Sequence, residues 1–134
     1  MNKKLAEEWL VKSWHHLSTA KLLFEAEHYT DIIAVEIHYA SEIALKSFLA
    51  YDNVKIIKTH ELVELSKYIK EYITFDEEEL DILDAISEYH IGESYPTPHR
   101  KLPAREEIKE VLDFAEKLFE QVCHILDIDK KKLV

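Results

Sequence analysis

The most informative stretch of this chain is Tyr-His-Ile-Gly-Glu-Ser-Tyr-Pro-Thr-Pro-His-Arg-Lys-Leu-Pro, residues 89–103. It contains the single glycine of the sequence, Gly92, and all three of its prolines. Proline and glycine are the residues that most strongly interrupt helices, so their absence elsewhere predicts an almost wholly helical protein with one long irregular loop. Loops held by a rigid scaffold often carry functional residues, so this loop is the first candidate for a functional site.

Two long helices are predicted near the N-terminus. The first covers about residues 3–26, where small and apolar residues recur at spacings of three and four. The second covers about residues 29–51, and its apolar residues occupy more than one face. Such a helix is buried on several sides, so we expect it at the centre of a bundle or against a second subunit. The break between the two helices is short, which predicts an antiparallel hairpin.

Three further helices are predicted. Helix three is expected to begin at Thr59, a good N-cap residue, and to continue to Tyr72. Helix four is expected to follow a cap at Thr74 or Asp76, and helix five to start near Pro103. No strand pattern competes with these helices. The predicted fold class is therefore all-α, an antiparallel up-and-down four-helix bundle with an additional short helix.

The composition places the chain, residues 1–134, among globular proteins of one domain. Its 17 basic and 27 acidic residues give a net charge of −10. This charge is unfavourable for a generic nucleic-acid binder, because affinity for phosphates depends on Lys and Arg. Any such contact has to come from a local basic patch, and the candidates are Arg100, Lys101 and Arg105, and the lysines at 130–132. The sequence has no apolar run of bilayer length and no signal-peptide pattern, and the lone Cys123 cannot form an internal disulfide, so we expect a cytoplasmic protein. Frequent Lys, Glu and Ile are typical of a thermophilic source.

Three stretches in this order resemble the HEPN domain, a small all-helical domain of prokaryotes and higher eukaryotes. They are the helix-to-turn segment 20–31, the Ala-x-Glu-x-x-x-Lys-x-x-Leu pattern within 38–49, and the Thr-His-Glu-Leu segment within 59–65. The Tyr-Pro pair at 95–96 extends the match over nearly the whole chain. The resemblance implies a helical subunit that partners a minimal nucleotidyltransferase in a two-gene module of toxin–antitoxin type, with a nucleotide or RNA as ligand. We expect the chain to form a homodimer through helix two and the long loop.

The chain departs from the RNase members of that family. Those members carry an arginine followed shortly by a histidine at the end of the third long helix, and this chain has no such pair there. Ser94 precedes the Tyr-Pro pair where a related subgroup has arginine. A scissile phosphate would therefore lack its main cationic stabiliser, which favours binding over cleavage. The alternative is a metal-independent RNase that uses loop His90 or His99 as base and Arg100 as phosphate clamp.

The expected ligand site is a cleft shared by helix two, the start of helix three and the loop. Its residues are Tyr39, Glu42, Lys46, His60, Tyr95 and Arg100. The resemblance also makes Tyr95 a candidate acceptor for adenylylation. Plainer alternatives remain open: Glu42 and Lys46 as an ordinary helical ion pair, His60 as a packing residue, and the loop as the interface of a non-enzymatic helical dimer scaffold.

No cofactor and no metal site are expected from the sequence. His38 and Glu42 are four residues apart, and His15 and His16 are adjacent. No HExxH motif, paired Glu-x-x-His motif or Cys/His cluster accompanies them, and these are the spacings that predict a metal centre. Cys123 lies on the apolar stripe of helix five and is expected to be inert.

Overall fold

The computed structural model of the protein describes residues 1–98 and 101–134. Over these two ranges the chain forms helices and no strand. The helices are α1 (Lys3–Glu25), α2 (Thr30–Tyr51), α3 (Leu62–Ser66), α4 (Glu77–Gly92), α5 (Arg105–Ile125) and a 3-10 helix at Lys130–Lys132. Four long helices and the short α3 confirm the predicted all-α helical bundle. None of the helices in the described ranges is long and apolar enough to cross a membrane.

Helix α2 lies at the centre of the bundle. It packs along α1 as the predicted hairpin, and α3, α4 and α5 also pack against it. Every residue from 44 to 50 is buried. The sequence left open whether this helix is central or faces a second subunit. The other helices of the same chain cover residues 44–50, so this part of α2 is central in the bundle, and a second subunit against the rest of the helix stays a prediction.

The ends of α1, α2 and α5 are formed without glycine. Glu27, Asn53 and Asp127 follow these helices with φ angles of 56°, 57° and 54°. After α1, for example, the His28 N–H returns to the Leu23 carbonyl at 2.9 Å. Glycine usually supplies this left-handed geometry, and a residue with a Cβ pays roughly 1–2 kcal/mol to adopt it. The single glycine of the chain is not used in this way, since no glycine has a positive φ.

Helix α4 extends further than the sequence predicted. Gly92 is its last helical residue, so the irregular segment begins at Glu93 rather than at Tyr89. A single glycine costs a helix only about 1 kcal/mol relative to alanine, and the packing of α4 against α2 offsets that. At the other end, Asp76 and Glu79 form a capping box, which identifies Asp76 as the cap.

Helix α3 begins later than predicted. It starts at Leu62, and Glu61 before it has extended backbone angles, so the predicted start at Thr59 is wrong. The His60 side chain reaches across to α2, and the Leu62 N–H donates to the Ser87 hydroxyl of α4 at 2.8 Å. These long-range bonds hold the chain in a path that a helix starting at Thr59 would not follow.

The chain after α3 also does not continue as a helix to Tyr72. The Tyr72 ring stacks on Phe48 of α2, with ring centroids 4.9 Å apart and planes 10° apart. Its hydroxyl donates to the Asp52 carboxylate, and burial together with that bond raises the pKa of Tyr72. The segment between α3 and α4 therefore packs against α2 as a series of turns.

Candidate functional site

Glu42, in the middle of α2, is the centre of a buried polar cluster. Its Oε1 accepts hydrogen bonds from His38 Nε2 at 2.9 Å and from His60 Nδ1 at 2.7 Å. Its Oε2 accepts one from Lys46 Nζ at 2.9 Å. The Glu42 and Lys46 side chains are 7% and 8% exposed. Charges this deeply buried need partners, so the pair is a structural element of the cluster rather than an ordinary surface ion pair.

His38 is fully buried, and both of its ring nitrogens are engaged. Its Nδ1 lies 3.0 Å from the Ile86 carbonyl oxygen of α4 and must donate, because a carbonyl only accepts. Its Nε2 faces Glu42 Oε1. An ionised carboxylate also only accepts hydrogen bonds. A cation therefore has to lie between these two atoms, either a second ring proton or another positive ion. The ring thereby joins α2 to α4.

His60 and His90 stack at the accessible side of the cluster. Their ring centroids are 3.8 Å apart and their planes 16° apart. His60 comes from the segment before α3, and its side chain is 53% exposed. His90 belongs to the last turn of α4, and its ring centroid lies 5.0 Å from that of His38. Three separate elements therefore bring three imidazoles together, and two of them, His38 and His60, bond the Glu42 carboxylate.

The electrostatics of the cluster follow from these bonds. Burial by itself raises the pKa of Glu42, but hydrogen bonds from His38, Lys46 and His60 outweigh it and lower the pKa to about 2. Burial lowers the pKa of His90, and the neighbouring His60 and His38 lower it further. At neutral pH Glu42 is a carboxylate and His90 a neutral imidazole. The arrangement can accept a proton or hold a cation.

Tyr39 and His16 extend the cluster towards α1. The Tyr39 ring lies edge-on to His38 and to His90, with centroids 5.6 Å and 6.0 Å apart. The His16 ring lies 5.3 Å from Tyr39, and its Nδ1 contacts a Glu36 carboxylate oxygen at 3.1 Å. These side chains form an aromatic rim beside the buried carboxylate.

The structure brings most of the predicted site residues together. The cluster contains Tyr39, Glu42, Lys46, His60 and His90. Tyr95 is placed elsewhere: it is 71% exposed and lines a surface pocket of about 340 Å³ with Ile32 and Leu102. Within the described part of the chain, none of the cluster side chains lines that pocket. His99 and Arg100, also predicted site residues, lie outside the described residues.

His38 and His16 were not among the site residues predicted from the sequence. The spacing of His38 and Glu42, one helical turn apart, is the signal that could have found the first of them. The expectation of no metal site rested on the same absence of local spacing. In the folded chain, one ligand atom each from His38, Glu42 and His60 lies within 4.8 Å of the others. His60 approaches only through tertiary structure, which no linear spacing records.

Comparisons with known proteins agree with this architecture. The family model described as the HEPN domain matches residues 6–126. The crystal structure of TT1696 from Thermus thermophilus superposes with a TM-score of 0.77 and 25% sequence identity, covering 93% of this chain and 99% of that one. No curated protein matches the chain significantly. Since the family model covers most of the sequence, the chain belongs to the HEPN domain family.

Proposed function

We propose that this protein is the nucleotide- or substrate-binding partner of a minimal nucleotidyltransferase, in a module of toxin–antitoxin type. The observation that supports it is the stacked His60–His90 pair, accessible beside a rigid buried network in an otherwise acidic protein. Membership of the HEPN family supports the partner role. The absence of the Arg-to-His spacing favours binding over catalysis.

The cleft offers both kinds of contact that a nucleotide needs. The rings of His60, His90 and Tyr39 provide aromatic faces, and stacking of a base on such a face contributes about 1–3 kcal/mol. The Lys46 ammonium, 2.9 Å from Glu42, and the ring N–H groups that face the same carboxylate supply donors to which a phosphate oxygen could bind.

Calorimetric titration with adenine and guanine nucleotides tests the binding step. We expect saturable binding that weakens at least tenfold in His60→Ala, because this residue supplies an accessible ring of the cleft. The matched control is His124→Ala, an exposed histidine in the last turn of α5. An absence of heat at millimolar nucleotide, or equal weakening in both variants, contradicts nucleotide binding at this cleft and favours the scaffold alternative.

Co-expression tests the partner assignment. The chain is produced together with the product of the adjacent gene, and the complex is measured by size-exclusion chromatography with light scattering. A nucleotidyltransferase that co-elutes at fixed stoichiometry is the expected result. A neighbour of another class, with no complex formed, contradicts the assignment whatever the nucleotide titration gives.

A homodimer is part of this proposal. The surface that favours it is the apolar rim of Ile32, Tyr95 and Leu102, all exposed around one shallow pocket. Light scattering of the isolated chain should give twice the monomer mass. A Tyr95→Ser substitution should shift the equilibrium towards monomer, since it removes the most exposed ring of the rim. A monomer in the unsubstituted protein contradicts this part of the proposal.

Tyr95 is also a candidate acceptor for adenylylation. The intact mass of the chain, measured by mass spectrometry after co-expression with the partner, tests this modification.

A metal-independent RNase is the second candidate function, and one observation favours it. The lowered pKa of His90, caused by burial and the nearby His60 and His38, keeps its imidazole unprotonated and able to accept a proton from an RNA 2′-hydroxyl. Incubation with labelled RNA in the presence of a chelator tests this activity. Cleavage that disappears in His90→Ala and in Arg100→Ala supports it, and cleavage that persists in both, or no cleavage at all, contradicts it.

A further inference from the structure

The polar cluster contains three ligand-type atoms that point to one position. His38 Nε2 and His60 Nδ1 lie 2.9 Å and 2.7 Å from the same carboxylate oxygen, Glu42 Oε1. All three atoms lie within 4.8 Å of one another. Nucleotide binding at the stacked rings requires no such convergence on a buried oxygen, so this part of the cluster needs its own explanation.

The neighbours of the three side chains resemble the outer shell of a metal centre. A metal-bound histidine usually donates its other ring N–H to a carbonyl or carboxylate, which fixes the ring orientation. His38 does this through Nδ1 to the Ile86 carbonyl, at 3.0 Å. Lys46 bonds the second oxygen of Glu42, at 2.9 Å, and leaves Oε1 for a cation. His90 stacks on His60 and fixes the plane of that ring.

We propose that His38 Nε2, Glu42 Oε1 and His60 Nδ1 form a binding site for a zinc-type divalent cation. Two imidazoles and one carboxylate are a ligand set that suits Zn²⁺, whereas Mg²⁺ and Ca²⁺ prefer oxygen ligands throughout. Two of the ligands are buried, and the half-exposed His60 leaves the remaining coordination position open to solvent or to a ligand. This binding does not depend on the proposed nucleotidyltransferase partnership.

The two contacts to the carboxylate oxygen require only a small adjustment, and the two ring nitrogens, which lie within 4.8 Å of each other, have to come to a similar separation. Zn–N and Zn–O bonds of about 2.0–2.1 Å in a tetrahedral arrangement separate the ligand atoms by about 3.3 Å. The present distances of 2.7 Å and 2.9 Å are those of hydrogen bonds, so each nitrogen moves away from the carboxylate by about half an ångström. His60 is half exposed and can make this movement without disturbing the core.

A ring nitrogen that binds the metal cannot carry a proton. The protons that His38 Nε2 and His60 Nδ1 donate to Glu42 Oε1 are therefore displaced when Zn²⁺ binds, to the buffer or, for His60, to the other ring nitrogen.

Calorimetry of the full chain, first freed of metal by a chelator, tests the proposal with ZnCl₂. We expect one Zn²⁺ per chain. His60→Ala should weaken binding at least tenfold, His60→Cys should retain it because thiolate also ligates zinc, and His124→Ala should leave it unchanged. With Co²⁺ in place of Zn²⁺, the intense visible absorption of a four-coordinate centre is expected.

Three outcomes would contradict the zinc site. The first is the absence of stoichiometric binding at micromolar Zn²⁺. The others are binding that survives in His60→Ala and binding that is lost in His124→Ala. A His38→Ala variant can fail to fold because this residue is fully buried. The half-exposed His60 therefore carries the test, and circular dichroism of each variant confirms that the helical content is unchanged.

Discussion

Replacing Glu42 with glutamine keeps the side-chain volume and removes its charge. In Glu42→Gln the buried Lys46 ammonium and the His38 ring lose their carboxylate partner. Removing one partner of a buried ion pair costs about 3–5 kcal/mol, since the other charge stays behind uncompensated. The lowered pKa of Glu42 gives a second estimate of the same loss, since a change from 4.5 to about 2 corresponds to about 3 kcal/mol of stabilisation of the ionised carboxylate. We therefore expect a loss of about 3 kcal/mol of unfolding free energy at neutral pH.

The sign of the pH dependence follows from the same pKa. The folded pKa of Glu42 is lower than the unfolded one, so its stabilisation is fully present above pH 4.5 and is lost as the pH falls towards about 2. The difference in unfolding free energy between the original chain and Glu42→Gln should therefore shrink across that window. Urea unfolding followed by circular dichroism, repeated at several pH values, measures it.

Two further variants sharpen this experiment. Glu120→Gln makes the same chemical change in the exposed pair with Lys130 and should cost less than about 1 kcal/mol. The double variant Glu42→Gln/Lys46→Met removes the orphaned ammonium and should recover part of the loss. A loss of unfolding free energy in Glu42→Gln no larger than that in Glu120→Gln would show that the buried network does not depend on this carboxylate.

Three other predictions concern the bundle itself. Glu27→Gly should raise the unfolding free energy by about 1 kcal/mol, since glycine adopts the positive φ after α1 without a Cβ clash; a loss would contradict it. Arg105→Lys should lower the unfolding free energy by about 1 kcal/mol, because the guanidinium lies 4.0 Å from the Phe24 ring and also donates to the Phe24 carbonyl; no change would count against that contact. Burial raises the pKa of Cys123 to about 11, so a thiol reagent should modify it only on unfolding, and rapid labelling of the native protein would contradict this burial.

The long helices could be predicted because their signals are local. The first two were predicted at 3–26 and 29–51 and found at Lys3–Glu25 and Thr30–Tyr51. Apolar spacing and the position of helix breakers are written directly into short windows of sequence. The start of α3 was predicted wrongly because the bond from His60 to Glu42 overrides the capping preference of Thr59. Such a bond joins residues that are distant in sequence.

The candidate site could be predicted only in part, for the same reason. Glu42 and Lys46 are neighbours on one helix and were visible as a pair. Their burial, and the approach of His38, His60 and His90 to one carboxylate, arise when α2, α4 and the segment before α3 pack together. Periodicity within a helix does not encode the contacts between its side chains and those of other elements.

The complete burial of residues 44–50 of α2 has a consequence for how the sequence can change over time. Along α5, buried positions alternate with exposed charged ones, so neutral substitutions can accumulate there with the period of the helix. Residues 44–50 of α2 include no exposed position at all. Almost any exchange there alters the volume of the core, which costs stability whichever direction the side chain takes. Among distantly related sequences, residues 44–50 of α2 should therefore change most slowly. Similarity in this segment should remain recognisable after the rest of the sequence has diverged.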